Sequence, residues 1–488
     1  MAVEHTFLNL NRPEYPRNPE TLQSALAWFL AKRTEAESGT PRKVGLVYEV
    51  ITKKQRKTID IRETRPPDDA FADLLEKAGL EYGGDEGGME RLASCILDGL
   101  RGVSGEKANA RAAVPLVPGA ALLQDAVGLH AKAGPPDFGT IIGQVYALGS
   151  VDRVPLDRAA RLWHAALSRE EPKGLHVALG KALELMGLPG EYDPDAKPRG
   201  SCSMPVWLSG CQTPFTWFRK AWDTFCGNGW REALPRRRWC DWASWALRTG
   251  IAFAYLWEAR FYSRLGQCLI NPGKDSAAAA RRILSTAEPL LRWRPSREKV
   301  GERSVSETLK SDISDGQAVR ERLVDQIEEW VEHGKLDEAL LADMHTSPTG
   351  LADFVARAQR LMNQSSRAEL LSCFGGDLKP SAKNTLETVR YLLLCRQVHG
   401  EDADFYGLLA RHGRRWAVVE PGPEWIVVFA SLSAKQPGGW ANLRQLKDSL
   451  KELGLSPSRE TVVQELERAG LSRSSHDADD GIDVAAGF

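Results

Sequence analysis

The chain has almost no surplus of charge of either sign: 64 Lys and Arg stand against 65 Asp and Glu among 488 residues. A net charge of −1 gives no general attraction to nucleic acid or to an anionic membrane, so any such binding must come from a local patch. Long apolar runs are missing as well. Ala112–Leu123 is interrupted by Pro115 and Pro118, and Ile251–Trp257 is short and flanked by Arg248 and Glu258. Neither reaches the roughly 20 apolar residues that span a bilayer. Met1–Leu10 has no basic stretch followed by an apolar core, so no secretory signal is expected there and a cytoplasmic location is.

Catalytic signatures are absent too. The sequence has no G-x-x-x-x-G-K-[ST], which argues against a P-loop ATPase; Gly102–Lys107 has the wrong spacing. It has no H-E-x-x-H and no G-x-S-x-G. The nine histidines are dispersed, so no Cys/His pair stands out. The eight cysteines read as small buried apolar residues in a reducing compartment. No cofactor is expected. Cys202, Cys211, Cys226 and Cys240 fall close together, but without the short Cys-x-x-Cys knuckle that nucleates a zinc tetrahedron.

What is present is helical periodicity over a chain too long for one compact core. The fold class expected is mainly α: a multi-domain helical protein with a small N-terminal β-hairpin element and a C-terminal winged helix-turn-helix. The divisions expected are a small α/β domain over 1–85, a helical domain over 86–200 and a Trp/Arg-rich helical segment over 201–291. A polar linker or loop over 292–315, a helical domain over 316–420 and a winged-helix-like domain over 421–488 follow. The hairpin rests on two β-branched runs, Gly45–Thr52 and Lys57–Arg62, around a short polar link.

The last segment is the most readable. An apolar helix is expected over Glu424–Leu432, a short strand at Trp440–Leu443, a helix over Arg444–Leu453 and a turn at Gly454–Ser458. A second helix over Arg459–Ala469 and a weak hairpin over Ser472–Val484 complete it. This order resembles a winged helix-turn-helix. Such folds read DNA by placing the second helix of the pair in the major groove, with Lys and Arg on the phosphates. Here that helix carries Arg459 and Arg468 against Glu460, Glu465 and Glu467, and residues 421–488 hold seven basic and ten acidic residues. The balance points to a protein contact rather than to a groove.

Residues 201–260 differ from the rest. They hold eight of the fifteen tryptophans (Trp207, Trp217, Trp222, Trp230, Trp239, Trp242, Trp245 and Trp257) and eight basic residues against four acidic ones. Arginines interleaved with aromatic faces are the pattern that stacks bases and tracks a phosphate backbone. The candidate DNA or RNA contacts are Arg219, Lys220, Arg231, Arg236, Arg237 and Arg238, with the Arg236–Arg238 triplet foremost. The competing reading is that the tryptophans fill a core, with Trp239, Trp242 and Trp245 on one helix face and the triplet in an exposed loop. Asp193, Asp195 and Lys197 form a D-x-K triplet of the kind metal-dependent nucleases use, but Pro189 and Pro198 bracket it as a loop rather than the required strand.

The function expected is a non-enzymatic subunit or adaptor of a larger bacterial assembly, with protein partners and a possible association with nucleic acid, as in genome maintenance or anti-phage defence. The alternatives are a stand-alone DNA-binding regulator and an enzyme with an unrecognised site, such as a metal-dependent nuclease.

Overall fold

The computed structural model describes residues 8, 10–13, 20–30, 50–53, 56–59, 68–81, 87–99, 114–117, 120, 138–169, 175–185, 200–273, 275–293, 305–376, 378, 380–395, 404–412, 416–473 and 482–488. The architecture is mainly helical, with small antiparallel sheets. Its axis is α9, the ninth helix in chain order: Arg236–Ile270, 35 residues, about 52 Å long at 1.5 Å per residue. A helix apolar on all sides must be covered on all sides. From Trp239 to Leu256 nearly every residue is buried, including Ser244, Arg248 and Thr249.

Helices from both halves of the chain cover it. In the first part, α1 (Glu20–Leu30), α4 (Phe138–Ala147), α5 (Arg158–Ser168) and α7 (Pro214–Gly227) pack together, and α1, α4 and α7 each touch α9. Between them lie the paired strands β1 (Val50–Lys53) and β2 (Arg56–Ile59), and α2 (Asp68–Lys77), α3 (Gly88–Gly99) and α6 (Leu175–Leu185). The last three form a small second core around Leu75, Met89, Ala93 and Leu179. The two-residue strands β3 (Val154–Pro155) and β4 (Ser201–Cys202) pair beside α4.

Helix α8 (Trp230–Ala233) is a single turn before α9, and α10 (Ser276–Ile283) follows it. The second half supplies α11 (Val305–Glu332), α12 (Glu338–Thr346), α13 (Gly350–Leu361), α14 (Gln364–Leu371) and α15 (Pro380–Leu393). Helix α11 lies along α9 so closely that a Cβ on Gly316 would collide with the backbone of Ala259. That close approach requires glycine.

Several sequence expectations shift. The polar stretch 292–315 enters helix α11 at Val305, so its second half is helix rather than linker. The polar residues there are one face of a helix whose other face buries Leu309 and Ile313. The region expected to be helical over 316–420 closes with an antiparallel pair, β5 (Leu409–His412) and β6 (Trp416–Val419). Arg236–Arg238 form the first turn of α9, not a loop.

The last segment follows its capping signals. It runs α16 (Pro423–Ser433), β7 (Trp440–Asn442), α17 (Leu443–Leu453), α18 (Arg459–Arg468), β8 (Ser472–Arg473) and β9 (Asp483–Ala485). Pro423 opens α16, where a missing N–H costs nothing. Asn442 and Gln445 cap α17 reciprocally, Gly454 ends it at φ 104°, and Ser458 caps α18 through the Thr461 N–H. The three strands order as β7-β9-β8, all antiparallel.

Polar groups on α9 and its neighbours also bind Leu8, Leu10, Asn11 and Arg12. The Leu10 N–H donates to Glu258 Oε1 at 3.0 Å, the Tyr255 hydroxyl to the Asn11 carbonyl at 2.5 Å and the Tyr262 hydroxyl to the Leu8 carbonyl at 3.2 Å. Arg12 and Arg320 approach the fully buried Glu258 carboxylate at 3.4 and 3.6 Å. Burial pushes this carboxyl up to about 7, against the pull of Arg12 and the Leu10 N–H.

No helix among the described residues is long and apolar enough to cross a membrane.

Candidate functional site

The Trp/Arg-rich stretch becomes α7, α8 and α9, and its aromatic rings face inward. Trp222, Trp230, Trp239, Trp242 and Trp245 are fully buried, and Trp207, Trp217 and Trp257 nearly so. They do not share one face. A spacing of three falls about 60° short of a full turn, so Trp239, Trp242 and Trp245 fan around the helix. Trp239 stacks on Phe225 of α7 at 4.9 Å, Trp242 meets Trp230 of α8 at 5.4 Å, and Trp245 meets Trp425 of α16 at 5.7 Å. Rings so enclosed offer no face to a nucleic-acid base.

The same rings join the C-terminal segment to the body. Phe429 of α16 stacks on Trp217 at 5.7 Å and on Trp425 at 5.1 Å, Trp293 meets Trp425 edge-on, and Phe488 meets Trp242 at 5.8 Å. Trp425 is fully buried. Each buried indole removes on the order of 200 Å² from water, about 5 kcal/mol of gross transfer free energy. Backbone contacts add to the joint: the Leu290 N–H donates to the Gly454 carbonyl at 2.7 Å, and Leu291 and Leu455 form a parallel bridge.

The basic residues of this stretch also meet internal partners. Lys220 Nζ lies 2.7 Å from Glu452 of α17, and Arg238 grips both carboxylate oxygens of Glu424 at 2.9 Å while its guanidinium covers the Phe488 ring. Arg236 donates to the Leu116 carbonyl at 3.1 Å, and Arg237 pairs with Asp241 at 3.2 Å. Arg231 is buried and donates to the Leu234 carbonyl. Arg219 sits 3.8 Å from Asp223. The six candidate residues are therefore dispersed over α7, α8 and the start of α9. Two of them, Lys220 and Arg238, hold the C-terminal segment. Further along α9, Arg248 binds Asp404 and Arg260 binds Asp312. A local excess of positive charge read from sequence is here largely neutralised by carboxylates from distant positions.

The C-terminal segment leaves one helix outside this joint. Helices α16 and α17 both pack on α7, whereas α18 rests on α16 and β8. Its inner face buries Thr461, Val462 and Leu466; Glu460, Gln464, Glu467 and Arg468 are exposed. Arg468 pairs with Glu465 at 3.3 Å. A hydrogen bond to the N-terminal backbone of α18 holds the Glu460 carboxyl below its ordinary range. The outward face is thus acidic and polar, at the position a groove-reading helix would need Lys and Arg.

The four cysteines of the stretch do not converge on one point. Cys226 and Cys240 are buried on α7 and α9, Cys240 donating to the Pro115 carbonyl at 3.3 Å, while Cys202 and Cys211 are half-buried. Burial raises all four thiols, which favours the protonated form over a thiolate ligand. Among the described residues, no group of three or more His, Cys, Asp or Glu is placed to share a metal ion. Asp193, Asp195 and Lys197 lie outside the described residues.

What sequence reasoning missed is an arginine pair elsewhere. Arg153 and Arg158 line a cleft that Arg219 also lines. They are far in sequence from the Trp-rich zone, and only the packing of α5 against α7 brings them to it.

No known family, no curated protein and no solved structure matches the chain.

Proposed function

We propose that this chain is a non-enzymatic adaptor subunit of a larger bacterial assembly, and that residues 421–488 form a winged helix used to bind a protein. The order α16-β7-α17-α18-β8-β9 with the sheet order β7-β9-β8 supports the winged-helix reading. The pairing of β1 with β2 likewise supports a hairpin in a small N-terminal element.

One observation carries the functional reading. The segment is bound to the body through α16 and α17 by Trp217, Trp245, Trp425 and Arg238, while the face of α18 bearing Glu460, Gln464, Glu467 and Arg468 is left outward. A helix held in a fixed orientation with an acidic, unburied face suits a protein partner with a basic groove. It does not suit a phosphate backbone, whose charge it repels.

The test is purification of the tagged full chain from its source organism, with quantification of proteins that co-purify at fixed stoichiometry. The wild type retains a partner that the Glu460→Arg/Glu467→Arg double variant loses, with the fold unchanged by circular dichroism. If duplex DNA bound the wild type at physiological salt and α18 substitutions abolished that binding, the stand-alone regulator would replace the adaptor reading.

A further inference from the structure

A cleft between α4, β3, α5 and α7 gathers three arginines. It holds about 460 Å³ and is lined by Arg153, Arg158, Arg219, Asp223 and Tyr146 together with the apolar Val154, Pro155 and Leu162. That volume lies within the range of small-molecule sites.

Three arginines converge on it with a single carboxylate, and that carboxylate is already engaged. Asp223 Oδ1 accepts the Tyr146 hydroxyl at 2.5 Å, and Asp223 Oδ2 lies at the long distance of 3.8 Å from Arg219 Nε. The Tyr146 phenol is pushed above its ordinary range by burial and then by Asp223, so it stays a neutral donor. Arg219 is fixed by its Tyr146 neighbour, its guanidinium 5.4 Å from the ring centre, and its Nη1 has no hydrogen-bond partner among the described residues. Among the described residues, Arg153 spends only Nε, on Ser201 Oγ at 2.5 Å. Arg158, at the first turn of α5, makes no hydrogen bond or ion pair with any described residue and is exposed. These arginines contrast with Arg238, Arg248 and Arg260, whose charges are met by Glu424, Asp404 and Asp312.

Guanidinium groups with unused donors match the oxygens of a phosphate in geometry as well as charge. The surplus of two positive charges equals that of a phosphate monoester dianion, or of two neighbouring diesters. We propose that this cleft binds a phosphate group, with Arg153, Arg158 and Arg219 as its ligands. The group comes either from a small phosphorylated molecule or from a nucleic-acid backbone, since both present the same oxygens. The proposal uses no residue of the C-terminal segment and stands or fails separately from the adaptor reading.

The experiment is calorimetric titration of the full chain with pyrophosphate, and anisotropy titration with a labelled single-stranded oligonucleotide, both at physiological salt. Wild type is compared with Arg153→Ala/Arg158→Ala, whose exposed side chains leave the core intact, and with Arg219→Gln. Thermal melts confirm that each variant is folded. The expected result is binding that weakens at least tenfold in the double variant. Pyrophosphate binding without oligonucleotide binding identifies a small ligand. Oligonucleotide binding with the same arginine dependence identifies a backbone. The proposal is overturned if neither probe binds the wild type, or if both bind the double variant as tightly.

Discussion

Replacing Arg248 by Met tests the central claim that α9 is held by groups far from it in sequence. Arg248 is 2% exposed and its partner Asp404 3%. The guanidinium donates to Asp404 Oδ1 at 2.9 Å and Oδ2 at 3.0 Å, to the Leu392 carbonyl at 2.6 Å and to the Leu394 carbonyl at 2.8 Å. Taking the cation away leaves a buried carboxylate and two carbonyls without this donor. Breaking such a pair on one side costs about 3–5 kcal/mol, because the surviving charge stays desolvated. The double variant Arg248→Met/Asp404→Leu removes both charges and should recover at least about 2 kcal/mol of that loss. Urea denaturation followed by tryptophan fluorescence reads both numbers, the indoles of α9 being buried in the native state. A loss below about 1 kcal/mol in the single variant, or a double variant as unstable as the sum of the singles, would refute the burial argument.

Other consequences follow from the same packing. Gly316→Ala places a methyl against the Ala259 backbone and is expected to cost about 1–3 kcal/mol, visible as a lowered melting temperature; an unchanged melt would contradict the close approach of α9 and α11. Glu258 has its folded pKa raised to about 7 from an ordinary 4.5, because burial disfavours the charged form. Its contribution is fully present below about pH 4.5 and is lost as pH rises through 7, at most about 3 kcal/mol. Glu258→Gln should flatten that part of the stability–pH curve, and an identical slope in wild type and variant rejects the assignment. Arg238→Ala breaks a part-exposed pair in which Arg238 Nη2 reaches both Glu424 oxygens and should cost about 1 kcal/mol. The loss should appear first as faster proteolysis near residue 421, and equal cleavage rates would show that the aromatic joint suffices alone.

Much of the helical content was legible in the sequence because helices are local. The 3.6-residue period and the turn expected at Gly454–Ser458 place α17 and α18 within a residue of where they lie, and Asn442 and Ser458 cap them in the structure. The near-continuous apolar composition after Trp239 marks α9 as buried, since no solvated helix carries it. Polarity misled at 305–315, where Glu307 and Lys310 are only the wet side of α11 and Leu309 and Ile313 the dry side. The strands at Leu409–His412 and Trp416–Val419 were missed because four residues carry too little period to be told from a loop.

The candidate site was hardest to read, for a reason of range. Composition alone marked residues 201–260 as rich in Trp and Arg, and it determined that these side chains are special. Whether an arginine is a free ligand or a structural partner depends on which carboxylate the fold delivers to it. Glu424 reaches Arg238 and Asp404 reaches Arg248 across more than a hundred residues of chain, and Glu452 reaches Lys220 in the same way. No such carboxylate reaches Arg158 among the described residues. Helix, cap and burial are properties of neighbours in sequence, so the sequence by itself determined them. Charge satisfaction is a property of neighbours in space, and only the tertiary structure decided it.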